Sequence, residues 1–433
     1  MRPADARESS DSSRSSDEPW RSEQIRSNFL WFSLLFSINH GVVTTPLVIS
    51  TSVLAGGVGY LGNALLNIFT VVSAFFLGAP MVGLLGLRGA TLFGMLFYCV
   101  YVGLFAGAAL VGKHQHDLQM ASFGAGSVCG GIAAGVLWTA QGGYFSSTVD
   151  HVARLESSER TSLTASLSGT FAAFYLGAEV TSKLAWSALD YAKVPNVDIA
   201  CAFALVGLIA MLLMTKALDL PAGGAPAKCT NRFQAAAALW KDPVLFLVSG
   251  LNLTFGFSAA FMNGFVNANF ATPQLGSFAA PLLAAFTALL AAVLARVYGE
   301  VAVLIGKGPL VVVGAISFAG IGSCFFLLSC CEGWHWWLLV LYTFQGSGRA
   351  IYESTNKGIF ADLFPNDSVG AFSNCMLQSS LAFALCFFLS DVLKGPVLAA
   401  IALSLALATP LGYFVAIQRR STLERRPLAE NAA

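Results

Sequence analysis

Four charged residues stand inside long apolar stretches of this 433-residue chain, as two pairs of the same spacing: Glu179 with Lys183, and Arg349 with Glu353. A separation of four puts both members of a pair on one face of a helix, one turn apart. An ionisable group inside a membrane span costs at least about 2.5–3.5 kcal/mol on insertion scales, which makes each a candidate for function. The chemistry on offer is ionic. A carboxylate such as Glu179 takes a cation or a coupling proton; a guanidinium such as Arg349 takes an anion or latches onto a carboxylate. Each pair can also merely neutralise itself, and Lys183 can snorkel toward a surface. Counting inward along the expected helices puts the two pairs at different depths, so a single four-charge cluster is not expected. Among neutral polar residues, Gln141, Gln345, Asn39 and Asn252 are the candidates to orient a solute, with interhelical hydrogen bonding as the alternative role.

Catalytic and cofactor signatures are missing from the sequence. There is no H-E-x-x-H, Walker A or G-x-S-x-G pattern, and Gly124-x-Gly126 meets Cys129 where a dinucleotide fingerprint needs its third glycine. His114-Gln-His116-Asp117 reads as a solvated loop and not a metal site. The nine cysteines lie mostly in apolar runs without a C-x-x-C spacing, and Cys330 and Cys331 are adjacent, so they read as packing residues. No enzyme, cofactor or metal is expected. A net charge of +1 gives no bulk attraction to nucleic acid.

The elements that must position the four charges follow from composition. With 56% apolar and 11% charged residues, the chain needs a lipid bilayer as partner. Twelve stretches approach the ~20 residues of a spanning helix: 28–49, 61–85, 89–111, 122–146, 162–189, 198–218, 243–266, 277–297, 309–331, 334–353, 369–390 and 396–417. The expected fold is all-α and polytopic, with a disordered tail over 1–27, six-helix bundles over 28–219 and 243–417, a linker over 220–242 and a tail over 418–433. Placing both termini in the cytoplasm puts nineteen of the twenty-four basic residues on that side. The membrane is either the plasma membrane or an endomembrane. The sequons at Asn252 and Asn366 then fall in a span and on the cytoplasmic side. Gly126-x3-Gly130 and Gly131-x3-Gly135 predict close helix packing along the fourth span. An internal echo supports duplication: Thr139-Ala-Gln141-Gly142 in the fourth span and Thr343-Phe-Gln345-Gly346 in the tenth.

Several segments carry a resemblance. Tyr60-Leu-Gly-Asn63, Ala79-Pro80 with Gly86-x-Arg88, Leu137-Trp138-Thr139-Ala-Gln141-Gly142, and Gly346-Ser-Gly348-Arg349-Ala-Ile-Tyr352-Glu353-Ser-Thr-Asn356-Lys357 running to Phe360-Ala-Asp362 resemble the Unc-ninety-three-like family of the major facilitator superfamily, described as ion-channel regulatory proteins. The likeness extends from about residue 29 to 417. It departs from common sugar and drug facilitators at Met81–Arg88, which keeps a glycine and an arginine but lacks the aspartate that helps hold the inner gate in that superfamily.

Two functions are compatible with these residues. The leading one is a secondary transporter of a small solute or ion, with Glu179 as coupling carboxylate, Arg349 as anion partner or latch, and Gln141 and Gln345 as orienting groups. The other, implied by the resemblance, is a non-transporting regulatory or trafficking subunit that docks a membrane channel or receptor.

Overall fold

The computed structural model describes residues 20–220, 232–327, 332–365 and 367–430. Most of the expected N-terminal tail, half of the linker, Cys229, Cys330, Cys331 and Asn366 lie outside them.

The described residues form an all-α protein of twelve long helical rods. The first six are α1 (Ser22–Val53), α2 (Val58–Phe76), α3 (Gly78–Val111), α4 (His116–Glu156), α5 (Arg160–Tyr191) and α6 (Asn196–Met214). A short helix, α7 (Arg232–Ala238), follows in the linker. The second six begin with α8, which runs from Pro243–Ala260 through a widened segment, Phe261–Ala271, to Thr272–Leu275. Next come α9 (Ala279–Ile305) and α10 (Lys307–Leu327). Rod α11 joins Leu339–Ile351, a second widened turn at Tyr352–Asn356, and Lys357–Leu363. The last two are α12 (Ser368–Val392) and α13 (Gly395–Glu430).

Ten of the rods are long and apolar enough to cross a bilayer on those grounds alone. The other two are α5 and α11, the rods that carry Glu179 with Lys183 and Arg349 with Glu353. Their polarity is tolerated because they face each other inside the bundle, as described below. Leucines and valines such as Leu84, Leu110, Val303 and Leu411 are left exposed on the outer surface, where lipid replaces water.

Glycine spacing along α4 does what close packing requires. A Cβ at Gly131 would lie 2.5 Å from the Leu66 carbonyl oxygen, and one at Gly135 would lie 2.0 Å from Ser73 Oγ. Gly126 meets Leu104 and Gly130 meets Tyr101 on the other flank, so α4 packs against α2 and α3 with almost no side-chain spacer.

The start of α1 and the end of α13 lie on one side of the protein, here called the terminal face. Arg26 near the start of α1 makes a two-point pair with Glu156 at the end of α4, at 2.8 and 2.6 Å. Arg420 of α13 reaches the Leu363 carbonyl at 2.7 Å and Asp242 at 3.6 Å, and Lys307 pairs with Asp362 at 2.5 Å. Each half is thus stapled internally there. The stretch that lacks the aspartate, Met81–Arg88, lies within α3, which breaks at Gly86 (φ 70°). There Arg88 contacts Asp219, beyond the end of α6, at 3.4 Å and donates to the Ala217 carbonyl at 3.1 Å.

On the opposite face the halves meet. Ser187 donates to the Phe278 carbonyl at 2.8 Å, Thr272 to Ser52 at 3.1 Å, and Asn267 to the Val48 carbonyl at 3.3 Å. This face is closed.

Several rods differ from their expected extents. Rod α2 stops at Phe76, and the rest of the expected second span, 61–85, belongs to α3, which starts at Gly78 and not at 89. Rod α4 runs ten residues past the expected end at 146. Rod α11 passes ten residues beyond the expected end at Glu353, and α13 remains helical to Glu430 where a tail was expected from 418.

Candidate functional site

Glu179 sits mid-way along α5 and Arg349 mid-way along α11, and they meet. Arg349 Nη1 and Nη2 donate to Glu179 Oε1 and Oε2, each at 3.0 Å, in the fork geometry that makes guanidinium–carboxylate pairs directional. Lys183, one turn further along α5, donates to Glu179 Oε1. Arg349 Nε lies 3.9 Å from Glu353 Oε1, and Lys357 Nζ donates to Glu353 Oε2 at 2.9 Å. Five charged groups from two helices of different halves form one chain.

This overturns the expectation that the pairs occupy different depths. Residues 335–338 form a tight turn with exposed Trp336 and Trp337, so the regular part of α11 starts only at Leu339. Arg349 is ten residues from that start, ~15 Å at 1.5 Å per residue. Glu179 is twelve residues from the matching end of α5 at Tyr191, ~18 Å by the same rise. The two side chains are level. Exposure rises along the chain of charges: Lys183 and Glu179 side chains are 5% and 4% exposed, Arg349 17%, Glu353 36% and Lys357 55%. The buried end is therefore well insulated, and the Lys357 end is wet.

Two cavities flank the Arg349–Glu179 pair. The central one, about 160 Å³, is lined by Thr44, Tyr175, Lys183, Asn263, Thr287 and Gln345 besides the ion pair itself. Phe255, stacked on Tyr352 at 3.7 Å between ring centroids, and Phe383 supply apolar wall. The second, about 350 Å³, lies among Trp138, Phe171, Ala291, Ala295 and Lys357. Tyr175, Arg349 and Glu353 line both, so the ion pair stands at the partition between them. Gln345 Oε1 is buried in the central wall without a hydrogen-bond partner, although Gln345 itself is only 4% exposed. A buried acceptor left open in this way is ready for a donor on a solute or a water.

The remaining candidates are placed elsewhere. Asn39 donates to the carbonyls of Gly207 at 3.1 Å and Met95 at 3.4 Å, tying α1 to α6 and α3. Asn252 donates to Gln378 at 2.7 Å and accepts from Asn356 at 2.8 Å, forming an amide triad within the second half. Gln141 is half-buried on α4 and lines neither cavity. The T-x-Q-G echo is thus repeated in sequence but not in surroundings: Thr139 is buried and accepts from Arg232 at 3.0 Å, whereas Thr343 is exposed.

His40 and Tyr175 went unnoticed in the sequence. Tyr175 is one turn before Glu179 and its hydroxyl lies 3.2 Å from His40 Nε2, while His40 Nδ1 is buried without a partner. The sequence carries a signal for His40: it is an ionisable residue inside the first expected span, a class that is rare there and faces the bundle interior.

The arrangement can be compared with solved structures. A POT family peptide transporter, in an auto-inhibited form, matches with a TM-score of 0.63 at 11% identity, over 92% of this chain and 97% of that one. The xylose transporter XylE from E. coli, in a partially occluded inward-open conformation, gives 0.59 at 14% identity, over 90% and 96%. The fold is that of the major facilitator transporters. The nucleoside transporter NupG is a third example of the facilitator fold that matches, at 0.59 and 10% identity over 92% and 98%. No protein-family model matches this facilitator-fold chain, and no curated protein is similar to it.

Proposed function

We propose that the chain is a secondary transporter of a small polar solute or ion, bound between the two halves beside Glu179 and Arg349. The carrying observation is the buried two-point ion pair that joins α5 of one half to α11 of the other at the partition between two cavities. A pair so placed is a clamp. A solute with an anionic group competes for Arg349, a cation competes for Glu179, and either loosens the contact between halves. Gln345 Oε1 adds an acceptor for a solute N–H or O–H. Alternation between a state closed on the face opposite the termini and its reverse then carries the solute past the partition. The solved transporters of peptides, xylose and nucleosides that share the fold support this class of function without naming the solute. In this reading both termini are cytoplasmic, and residues 28–219 and 243–417 are the two rocking bundles.

One observation favours a second reading. The segment with the most distinctive resemblance to the Unc-ninety-three-like family, Gly346 to Asp362, is the stretch that presents Arg349, Glu353 and Lys357. A member of that group would use the clamp to lock a facilitator-shaped docking surface for a channel or receptor. Reconstitution into liposomes separates the two. Uptake from a panel of amino acids, peptides, sugars, nucleosides, organic anions and inorganic ions, abolished by Glu179→Gln, supports transport. Absence of uptake by folded wild-type protein across the panel, with a channel or receptor co-purifying from native membranes, rejects it in favour of the lock.

A further inference from the structure

A cavity unrelated to the ion-pair chain opens at the closed face, about 240 Å³ in volume, lined by Ser52, Lys113, Trp186, Asp190, Asn196 and Ser277 among others. Asp190 is 9% exposed, and its Oδ2 has no hydrogen-bond partner; Asn196 Oδ1 is also buried and unpartnered. An orphaned carboxylate oxygen under burial is expensive, because desolvation of a charge is repaid only by a counter-charge or donors. Its position raises the cost further, since Asp190 is in the last turn of α5, the negative end of that helix dipole. A second bare acceptor beside it makes the wall electron-rich. Apart from Lys113, the polar atoms that could act as ligands here are oxygens, with one formal negative charge among them, a set that suits a hard cation of low charge and not a transition metal. Lys113 also lines the cavity, but it is exposed and makes no ion pair among the described residues.

The lining spans both halves. Ser52, Asp190 and Asn196 belong to the first, and Ser277 to the loop before α9 in the second. Two of the cross-half hydrogen bonds of this face, Ser187 to Phe278 and Thr272 to Ser52, involve the same segments. We propose that a sodium-sized monovalent cation binds between Asp190 and Asn196, completed by the Ser52 and Ser277 hydroxyls, and that its binding holds this face shut. The site stands independently of whether the central cavity carries a solute.

The test uses the purified full chain in detergent. Thermal unfolding is compared in sodium chloride and choline chloride at equal ionic strength, alongside equilibrium binding of radioactive sodium. Sodium should raise Tm saturably, as a ligand specific to the folded state does. Asp190→Asn should abolish both the increment and the binding, and Asn196→Ala should weaken binding about tenfold. If Asp190→Asn fails to fold, the Asn196→Ala and Ser277→Ala variants carry the test. With Cys201 replaced, a cysteine at Ile49 in the cavity wall should be labelled several-fold more slowly in sodium than in choline. No sodium-specific stabilisation, or stabilisation that survives Asp190→Asn, overturns the proposal. So does equal destabilisation in both salts by Asp190→Asn and Lys113→Met, which would make Lys113 the partner of Asp190.

Discussion

Replacing Glu179 with glutamine removes the one negative charge shared by two buried cations. Lys183, 5% exposed in its side chain, is left with no counter-ion at hydrogen-bond distance, and Arg349 keeps only Glu353 at 3.9 Å. Deleting one partner of a buried pair costs about 3–5 kcal/mol, and here two cations lose their partner together, so the loss belongs at about 5 kcal/mol. Lys183→Met should be far milder, about 1–2 kcal/mol, because the two-point Arg349–Glu179 pair remains and no charge is orphaned. Arg349→Met should fall between, since Glu179 retains Lys183 and Glu353 retains Lys357. The decisive variant is the double one. Adding Lys183→Met to Glu179→Gln removes the stranded ammonium and should recover about 2 kcal/mol relative to Glu179→Gln alone, a negative interaction in the cycle. Tryptophan fluorescence during heating in detergent, with size-exclusion profiles to confirm folded starting material, reads the order of Tm values. If Glu179→Gln is no worse than Lys183→Met, or if the second substitution deepens the loss, Glu179 is not the shared counter-ion and the clamp is misassigned.

Other outcomes follow from the same geometry. Gln345→Leu removes the open acceptor of the central wall and should raise the KM for transport about tenfold, the worth of roughly 1.4 kcal/mol, with Tm little changed. Asn252→Ala strands Gln378 and Asn356 outside the cavities, so it should cost about 1–3 kcal/mol in thermal unfolding and leave solute affinity unaltered. Gly135→Val forces side-chain atoms into Ser73 and the Ala74 backbone, and should abolish monodisperse protein in size-exclusion chromatography.

The helical, polytopic plan was legible because lipid imposes it: spans must be long and apolar, and α6 and α12 read off almost directly. Apolar residues running unbroken through Leu77, by contrast, hid the boundary between α2 and α3. The two rods least apolar, α5 and α11, were still found, because their charges interrupt runs of adequate length. What sequence could not supply was axial register. Trp336 and Trp337 look like helix-starting apolar residues, yet they sit in a tight turn with their rings exposed. That shift of a few residues was enough to place Arg349 too deep and to hide its encounter with Glu179. Asn39 and Asn252 show the complementary problem: a polar side chain in a span announces that it has a partner but not whether the partner is protein or solute. Gln141 and Gln345 were equal in sequence, and only the rotation of their helices separates the half-buried one from the one in the cavity wall.

The widened turn at Tyr352–Asn356 bears on how this helix is to be aligned with its counterparts. Such a turn is an α-helix holding one residue more than its hydrogen-bond ladder needs, so positions before and after it are out of step by one. Arg349 lies before it and Lys357 and Asp362 after it. An ungapped match to a relative with a regular helix can superpose Arg349 or Asp362 on its true equivalent, but not both. Deleting one residue from this turn would bring the ladder back into phase and swing Asp362 by about 100° away from Lys307. The insertion therefore acts as a molecular shim, setting the angle between the ion-pair clamp and the staple on the terminal face.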